Sequence, residues 1–336
     1  MIKEAIGRVV EGIDLEEEEM VQVFEEIMTG EATQAQIGAF ITALRLKGET
    51  ISEITGAVRV MRDKATPVKA DIDRLVDTCG TGGDGKGTFN ISTSAAFVAS
   101  GAGLIVAKHG NRSVSSQSGS ADVLKALGVN IEADVATVER CLEEAGIGFL
   151  FAPLLHGAMK HAIVPRREIG IRTIFNIIGP LTNPAGALSQ VIGVYDYSLT
   201  DSIARVLDNL GSRHVLVVHG SDGLDEITLT GKTRVSELRG GEVYTYEMTP
   251  EDFGLKTCKP SELLGGDPEK NASIILDILN GVKGPKRDIV LLNAAAAICA
   301  GGVADNISDG ISLASQSIDS GEAMKRLEGL RAVSNS

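Results

Sequence analysis

Five glycines fall within the eight residues from Gly80 to Gly87, inside the stretch Asp77-Thr78-Cys79-Gly80-Thr81-Gly82-Gly83-Asp84-Gly85-Lys86-Gly87-Thr88-Phe89-Asn90-Ile91-Ser92-Thr93. So dense a run is too flexible for a helix or strand interior. Arg74-Leu75-Val76 before it reads as the end of a buried strand. Ala95-Ala96-Phe97-Val98-Ala99 after it reads as a helix capped by Ser92, Thr93 or Ser94. Without Cβ atoms, backbone N–H groups can close on an anion, with a helix N-terminus behind them. Strand, glycine loop and helix together make a phosphate-binding loop. A plain surface turn would leave both flanks unexplained.

Two standard phosphate patterns fail here, each at a residue with a defined job. Gly80-x-Gly82-x-x-Gly85 fits the dinucleotide fingerprint, which also wants a carboxylate about twenty residues on to hold a ribose diol. The next strand, Leu104-Ile105-Val106-Ala107, leads instead into Lys108-His109-Gly110-Asn111-Arg112. Gly80 to Lys86 fits most of a nucleotide-triphosphate loop, but Gly87 stands where Ser or Thr should hold magnesium. Lys108 to Ser120 is itself polar, with Ser113, Ser115, Ser116, Ser118 and Ser120, and helical signal resumes at Ala121. Two anion-friendly loops after successive parallel strands share one sheet edge, where open α/β sheets bind ligands.

A third loop supplies the opposite charge. Arg213-His214-Val215-Leu216-Val217-Val218-His219-Gly220 reads as a strand, and Ser221-Asp222-Gly223-Leu224-Asp225-Glu226 carries three carboxylates beyond it. Alone this is an acidic turn. Beside phosphate loops it would repel the ligand unless a cation lies between, and magnesium suits one or two carboxylates plus substrate phosphate.

The surroundings narrow the function classes. At 336 residues, 43% hydrophobic and only 4% aromatic, the chain can build one large or two ordinary domains on aliphatic packing. A net charge of −13 argues against nucleic acid or an anionic membrane as partner. The cysteines at 79, 141, 258 and 299 lack metal-ligand spacing, so a reducing cytoplasmic setting is expected. Met1-Ile2-Lys3-Glu4 resembles no signal sequence, and no apolar run is long enough for a membrane span.

Residues 1–65 read as short helices. Asp14 caps one, with Glu17 closing the box and Gly30 ending it. Apolar stripes recur at Met20, Phe24, Ile27 and Met28; at Ile37, Phe40, Ile41 and Leu44; and at Ile54, Val58 and Met61. From Leu75, strands at 75–78, 104–107, 147–151, 190–195 and 215–219 alternate with helical stretches, which predicts a parallel sheet covered by helices. Ile227-Thr228-Leu229-Thr230 and Val243-Tyr244-Thr245-Tyr246, around Gly240-Gly241, predict antiparallel strands, with helices again over 268–281 and 287–300. Pro165 is expected in the first turn of a helix holding Arg166, Arg167 and Glu168.

Gly80-Thr81-Gly82-Gly83-Asp84, Asn90-Ile91-Ser92-Thr93, Lys108-His109-Gly110-Asn111-Arg112 and Asp225-Glu226 together resemble the anthranilate phosphoribosyltransferase family. So does Gly170-Ile171-Arg172-Thr173 continuing to Gly179-Pro180-Leu181-Thr182-Asn183-Pro184. The resemblance implies an α/β fold with a small discontinuous all-helical domain (1–70 and 165–187) and a large α/β domain (71–164 and 188–336). The larger one would hold a mostly parallel central sheet covered by helices. It implies a homodimer through the helical domain, and transfer of a phosphoribosyl group from phosphoribosyl diphosphate to anthranilate. It places phosphoribosyl diphosphate on Gly80, Gly83, Asp84, Thr88, Asn90, Ser92, Thr93, Lys108 and Ser120. Anthranilate falls to Gly80, Asn111, Arg166, His109 and His156, and a pair of magnesium ions to Ser92, Asp225 and Glu226. The family's usual His-Pro-Ala-Met is His156-Gly157-Ala158-Met159 here, Ile163-Val164-Pro165 differs from the usual approach to the arginine, and Gln117 stands where many relatives carry Lys. A pyrimidine nucleoside phosphorylase of the same fold would need no diphosphate-bound metal, so Asp225-Glu226 argues against it. A nucleic-acid-binding paralogue would want a basic surface.

Overall fold

A computed structural model of the chain describes residues 1–70, 75–112 and 117–336; Arg74 and the serines at 113, 115 and 116 lie outside the described residues. The first four helices are α1 (Ile2–Val10), α2 (Glu17–Thr29), α3 (Gln34–Lys47) and α4 (Ile51–Asp63). Reciprocal caps set their starts: Gln36 N–H donates to Thr33 Oγ1 while Thr33 N–H donates to Gln36 Oε1 at 2.9 Å. The expected Asp14 cap is displaced. Glu16 caps α2, its N–H donating to Glu19 Oε2 at 2.9 Å, because Asp14 is taken by Lys47 Nζ at 2.6 Å. Gly30 does end the helix, at φ 82°.

The three apolar stripes of these helices are buried. They pack with Ile174, Phe175, Ile177 and Ile178, and the same core continues onto Ile192, Val215 and Val217 of the sheet. The rings of Phe24 and Phe175 lie 5.5 Å apart, tying the segment after residue 165 to α2.

The sheet has seven strands: β1 (Leu75–Gly80), β2 (Ile105–Gly110), β3 (Ile147–Phe151), β4 (Ser189–Gly193), β5 (His214–Gly220), β6 (Thr233–Arg239) and β7 (Glu242–Met248). Their order is β3-β2-β1-β4-β5-β6-β7, with the first five parallel and the last two antiparallel. The order reverses between β1 and β4, the switch point where ligands dock in such sheets. Helix α5 (Ile91–Gly101) and the helix Pro285–Ala300 cover one face.

Three further expectations need correction. Ile227-Thr228-Leu229-Thr230 is irregular chain that bends at its end, and pairing with β5 begins only at Thr233. Its polar groups are spent elsewhere: Ile227 N–H donates to Asn293 Oδ1, and the Thr228 hydroxyl donates to Asp222 Oδ2. The hairpin around Gly240 and Gly241 is real, and their φ values of 63° and 78° fit a two-residue type I′ turn. Pro165 sits inside the helix Lys160–Ile169, because a tight turn over Gly157–Met159 starts that helix earlier than proline chemistry alone would predict. Finally, Lys108 and His109 lie within β2 and are buried, rather than in the loop after it.

Candidate active site

At the C-terminal edge of the sheet, β1 and β4 end on Gly80 and Gly193. A Cβ on Gly80 would meet Asp225 Oδ2 at 2.7 Å, and one on Gly193 would lie 1.6 Å from the Asp225 carbonyl oxygen. The glycines at these strand ends therefore let the acidic turn fold down against the glycine loop. Hydrogen bonds then stitch the two together. Gly82 N–H donates to Asp225 Oδ2 at 2.8 Å, and Ser92 N–H at the start of α5 donates to Glu226 Oε1 at 3.1 Å. Thr81 is anchored from β4: its N–H donates to the Gly193 carbonyl at 2.9 Å, and its hydroxyl accepts from Tyr195 N–H at 3.0 Å.

The electrostatics of this seam favour a cation. Burial, helped by the nearby Asp84 carboxylate, pushes Asp225 up to about 6. Burial and repulsion from Asp225 push Glu226 up to about 8. Both keep part of their surface open to solvent. A hard dication among these oxygens would relieve the repulsion. Among the described residues no three His, Cys, Asp or Glu side chains gather as a cage. Two carboxylates and the Ser92 hydroxyl, completed by ligand oxygens, fit magnesium better than a nitrogen- or sulfur-seeking metal.

Behind the loop, the helix cap differs from expectation. Asn90, not Ser92, Thr93 or Ser94, occupies the cap position of α5, where its carbonyl accepts Ser94 N–H. The Asn90 amide is fixed at both ends, donating to the Ser118 carbonyl at 3.1 Å and accepting from Asn271 Nδ2 at 2.9 Å. Asn271, buried at the start of the helix Pro268–Leu279, was not legible as a site residue. Lys108, 3% exposed, donates to the Thr78 carbonyl at 2.6 Å and reaches Ser92 Oγ at 3.5 Å. Burial lowers its pKa, against the pull of Asp77, Cys79 and Glu226. Thr93 Oγ1 is buried with no partner among the described residues, an open polar valence beside the loop. Ser120 Oγ donates to the Asn111 carbonyl at 3.3 Å, bringing those two expected residues together, while Thr88 bridges to Leu264.

The other side of the site is made of side chains. His109 and His156 meet Nε2 to Nε2 at 3.1 Å. Burial lowers His109 to about 3 and His156 to about 4, so the pair is neutral, one ring donating and the other accepting. Asp77 accepts His109 N–H at 3.0 Å and Asn183 Nδ2 at 2.8 Å, which links β1 to the Asn183-Pro184 turn. Arg166 is half-buried, with its guanidinium carbon 4.9 Å from the Phe175 ring centroid. Among the described residues it meets no carboxylate and no hydrogen-bond acceptor. A desolvated arginine stacked on a ring and lacking an anion is suited to a carboxylate brought by a ligand. Arg167 next to it is exposed.

Two models of the glycosyl transferase family match this chain, the helical bundle domain over residues 3–65 and the a/b domain over residues 72–324. Anthranilate phosphoribosyltransferase of Acetivibrio thermocellus is 57% identical over all of this chain and 97% of its own length. The crystal structure of anthranilate phosphoribosyltransferase (TrpD) from Thermus thermophilus superimposes with a TM-score of 0.94 at 44% identity, covering 99% of each chain. The Saccharomyces cerevisiae enzyme in complex with PRPP and Mg superimposes with a TM-score of 0.90 at 29% identity, covering 99% of this chain and 98% of its own.

Proposed function

The chain belongs to the anthranilate phosphoribosyltransferase family, and from that premise we propose how its residues divide the work. The reaction moves the 5-phosphoribosyl group of phosphoribosyl diphosphate onto the amino group of anthranilate, releasing diphosphate, in tryptophan biosynthesis. The observation that carries the assignment of roles is the seam of hydrogen bonds from Gly82 to Asp225 and from Ser92 to Glu226. It puts backbone donors and carboxylates side by side, as a metal-bound diphosphate requires.

Bond breaking at C1 leaves an oxocarbenium-like ribose and a highly charged leaving group. That step depends on neutralising charge and aligning the nucleophile more than on a strong base. Magnesium, as a pair of ions on Asp225, Glu226 and Ser92, supplies that neutralisation when bound. Gly80, Gly83 and Asp84 hold the diphosphate. Thr88, Asn90, Thr93, Lys108 and Ser120 hold the ribosyl phosphate and its surroundings; the Thr93 hydroxyl, with no partner among the described residues, supports this. Arg166 and Asn111 grip the anthranilate carboxylate, and the neutral His109–His156 pair lines its ring with Gly80.

Residues 1–70 and 165–187 act as one helical body whose approach carries Arg166 to the acceptor, a reading supported by the Phe24–Phe175 contact. Exposed Val10, Ile13 and Leu46 support this body as the homodimer face. Four free cysteines fit a reducing cytoplasm; among the described residues no helix is long and apolar enough to cross a membrane.

The test mixes protein, magnesium, phosphoribosyl diphosphate and anthranilate and follows loss of anthranilate fluorescence. Loss that stops on chelation is the expected result. Magnesium-independent phosphorolysis of a pyrimidine nucleoside, with anthranilate untouched, would overturn it.

A further inference from the structure

Arg172 joins the two halves of the site. The helix Lys160–Ile169, which carries Arg166, ends at Gly170 with φ 68°, and the chain turns there toward the glycine loop. The Arg172 guanidinium lies over the Tyr195 ring, 4.3 Å from its centroid, and its Nη2 donates to the Gly83 carbonyl. Tyr195 in turn donates its own N–H to the Thr81 hydroxyl. The loop is thus held at three successive residues: Thr81 from β4, Gly82 by Asp225 and Gly83 by Arg172.

The third hold has a directional consequence. All described peptide bonds are trans, and a trans peptide points its C=O and its following N–H in opposite directions. Drawing the Gly83 carbonyl onto Arg172 therefore turns the Asp84 N–H away from Arg172. Among the described residues, the N–H groups of Gly83, Asp84 and Gly85 meet no protein acceptor. Released from Arg172, the Gly83–Asp84 peptide is free to rotate, because glycine on its N-terminal side tolerates either orientation. A rotated peptide would set a carbonyl oxygen against an anion.

We propose that Arg172 is a positioning residue that fixes the Gly83–Asp84 peptide so that the leaving diphosphate meets N–H donors instead of a carbonyl oxygen. The inference rests on the phosphoribosyl transfer assigned above. It predicts an effect confined to the diphosphate-bearing substrate, although Arg172 lies only six residues from Arg166.

The experiment compares the wild type with Arg172→Ala, Arg172→Lys and Tyr195→Leu, using calorimetry with magnesium diphosphate and steady-state kinetics for both substrates. Arg172→Ala is expected to weaken magnesium diphosphate, and to raise the KM for phosphoribosyl diphosphate, by about tenfold, the scale of a charged hydrogen bond. The KM for anthranilate should stay within about twofold, since no anthranilate contact is assigned to this residue. Lys can donate to the carbonyl but cannot stack as a plane, so Arg172→Lys should recover part of the loss. Tyr195→Leu removes the ring that holds the guanidinium and should give the same split in smaller measure, which keeps the test open if Arg172→Ala does not fold. Unchanged magnesium diphosphate affinity, or equal rises in both KM values, overturns the assignment. A wild type that binds magnesium diphosphate without consuming anthranilate would sink the reaction assignment instead, leaving the calorimetric comparison valid.

Discussion

The half of the site proposed to take diphosphate and the half proposed to take the acceptor are built from different materials. The first is backbone and carboxylate: glycine N–H groups, a helix start, and Asp225 and Glu226 locked to Gly82 and Ser92. The second is desolvated side chains: Arg166 over Phe175, and two histidines sharing one hydrogen bond. A backbone cradle is fixed by chain conformation and tolerates any neighbour that leaves the glycines alone. A side-chain pocket is only as good as the packing behind it. The charge logic also differs, because the first half stores repulsion that a cation would relieve, whereas the second holds a cation that meets no anion among the described residues.

Removing the two carboxylates should have the largest effect. Asp225→Asn with Glu226→Gln keeps shape but removes the charge proposed to act, through magnesium, on the leaving group. Turnover should fall by at least about a hundredfold, the scale seen when charge stabilisation of a developing anion is lost. The fold should hold, since the uncharged pair ends the repulsion that raises both groups. Near-normal turnover at saturating magnesium would remove these residues from metal binding.

The acceptor half should respond more narrowly. Arg166→Ala should cut kcat/KM for anthranilate by about ten- to hundredfold and largely spare the KM for phosphoribosyl diphosphate, as expected for one lost charged hydrogen-bond pair. Arg166→Lys should recover part. Exposed Arg167 is the control. A larger defect from Arg167→Ala would mean the carboxylate is gripped from the neighbouring helix position.

A milder probe returns to the loop. Gly83 has φ 75°, and a Cβ there would come 3.0 Å from Arg172 Nη2. Gly83→Ala should therefore strain the backbone by roughly 1–2 kcal/mol and displace the guanidinium, weakening phosphoribosyl diphosphate about tenfold. Calorimetry showing equal binding would mean the loop is not the cradle.

The same contrast explains what could be read without coordinates. The glycine loop, the acidic pair and the alternation of strands and helices are local patterns, and local patterns carry their own geometry. The failures were tertiary. Asp14 lost its cap role to Lys47, a partner 33 residues away. Ile227 to Thr230 has strand composition, but Asn293 and Asp222 claim its polar groups. Asn271 and Arg172 touch the site from distant segments, 181 and 89 residues from Asn90 and Gly83. No window of sequence contains both partners of such contacts.

The smallest expected effect concerns the histidine pair and is read in stability alone. One proton between two Nε2 atoms 3.1 Å apart makes a hydrogen bond, whereas two protons there would face each other. Burial accordingly holds His109 at about 3 and His156 at about 4, both below the ordinary 6.5. Between those values and 6.5 the unfolded chain takes up protons that the folded chain refuses. Stability is therefore complete above about pH 6.5 and declines as the pH falls toward 4. Each fully uncoupled imidazole would lose roughly 2 kcal/mol by pH 5. Other groups titrate over the same range, so the informative quantity is a difference. His156→Gln removes one imidazole and keeps a donor and an acceptor for His109. The fall in urea-unfolding free energy from pH 7 to pH 5 should then be smaller than in the wild type by on the order of 1 kcal/mol. Identical falls would mean that His156 takes up its proton as readily in the fold as in the unfolded chain. The histidines would then not form a buried neutral wall for an aromatic acceptor, and the acceptor half would have to be redrawn around Arg166 alone.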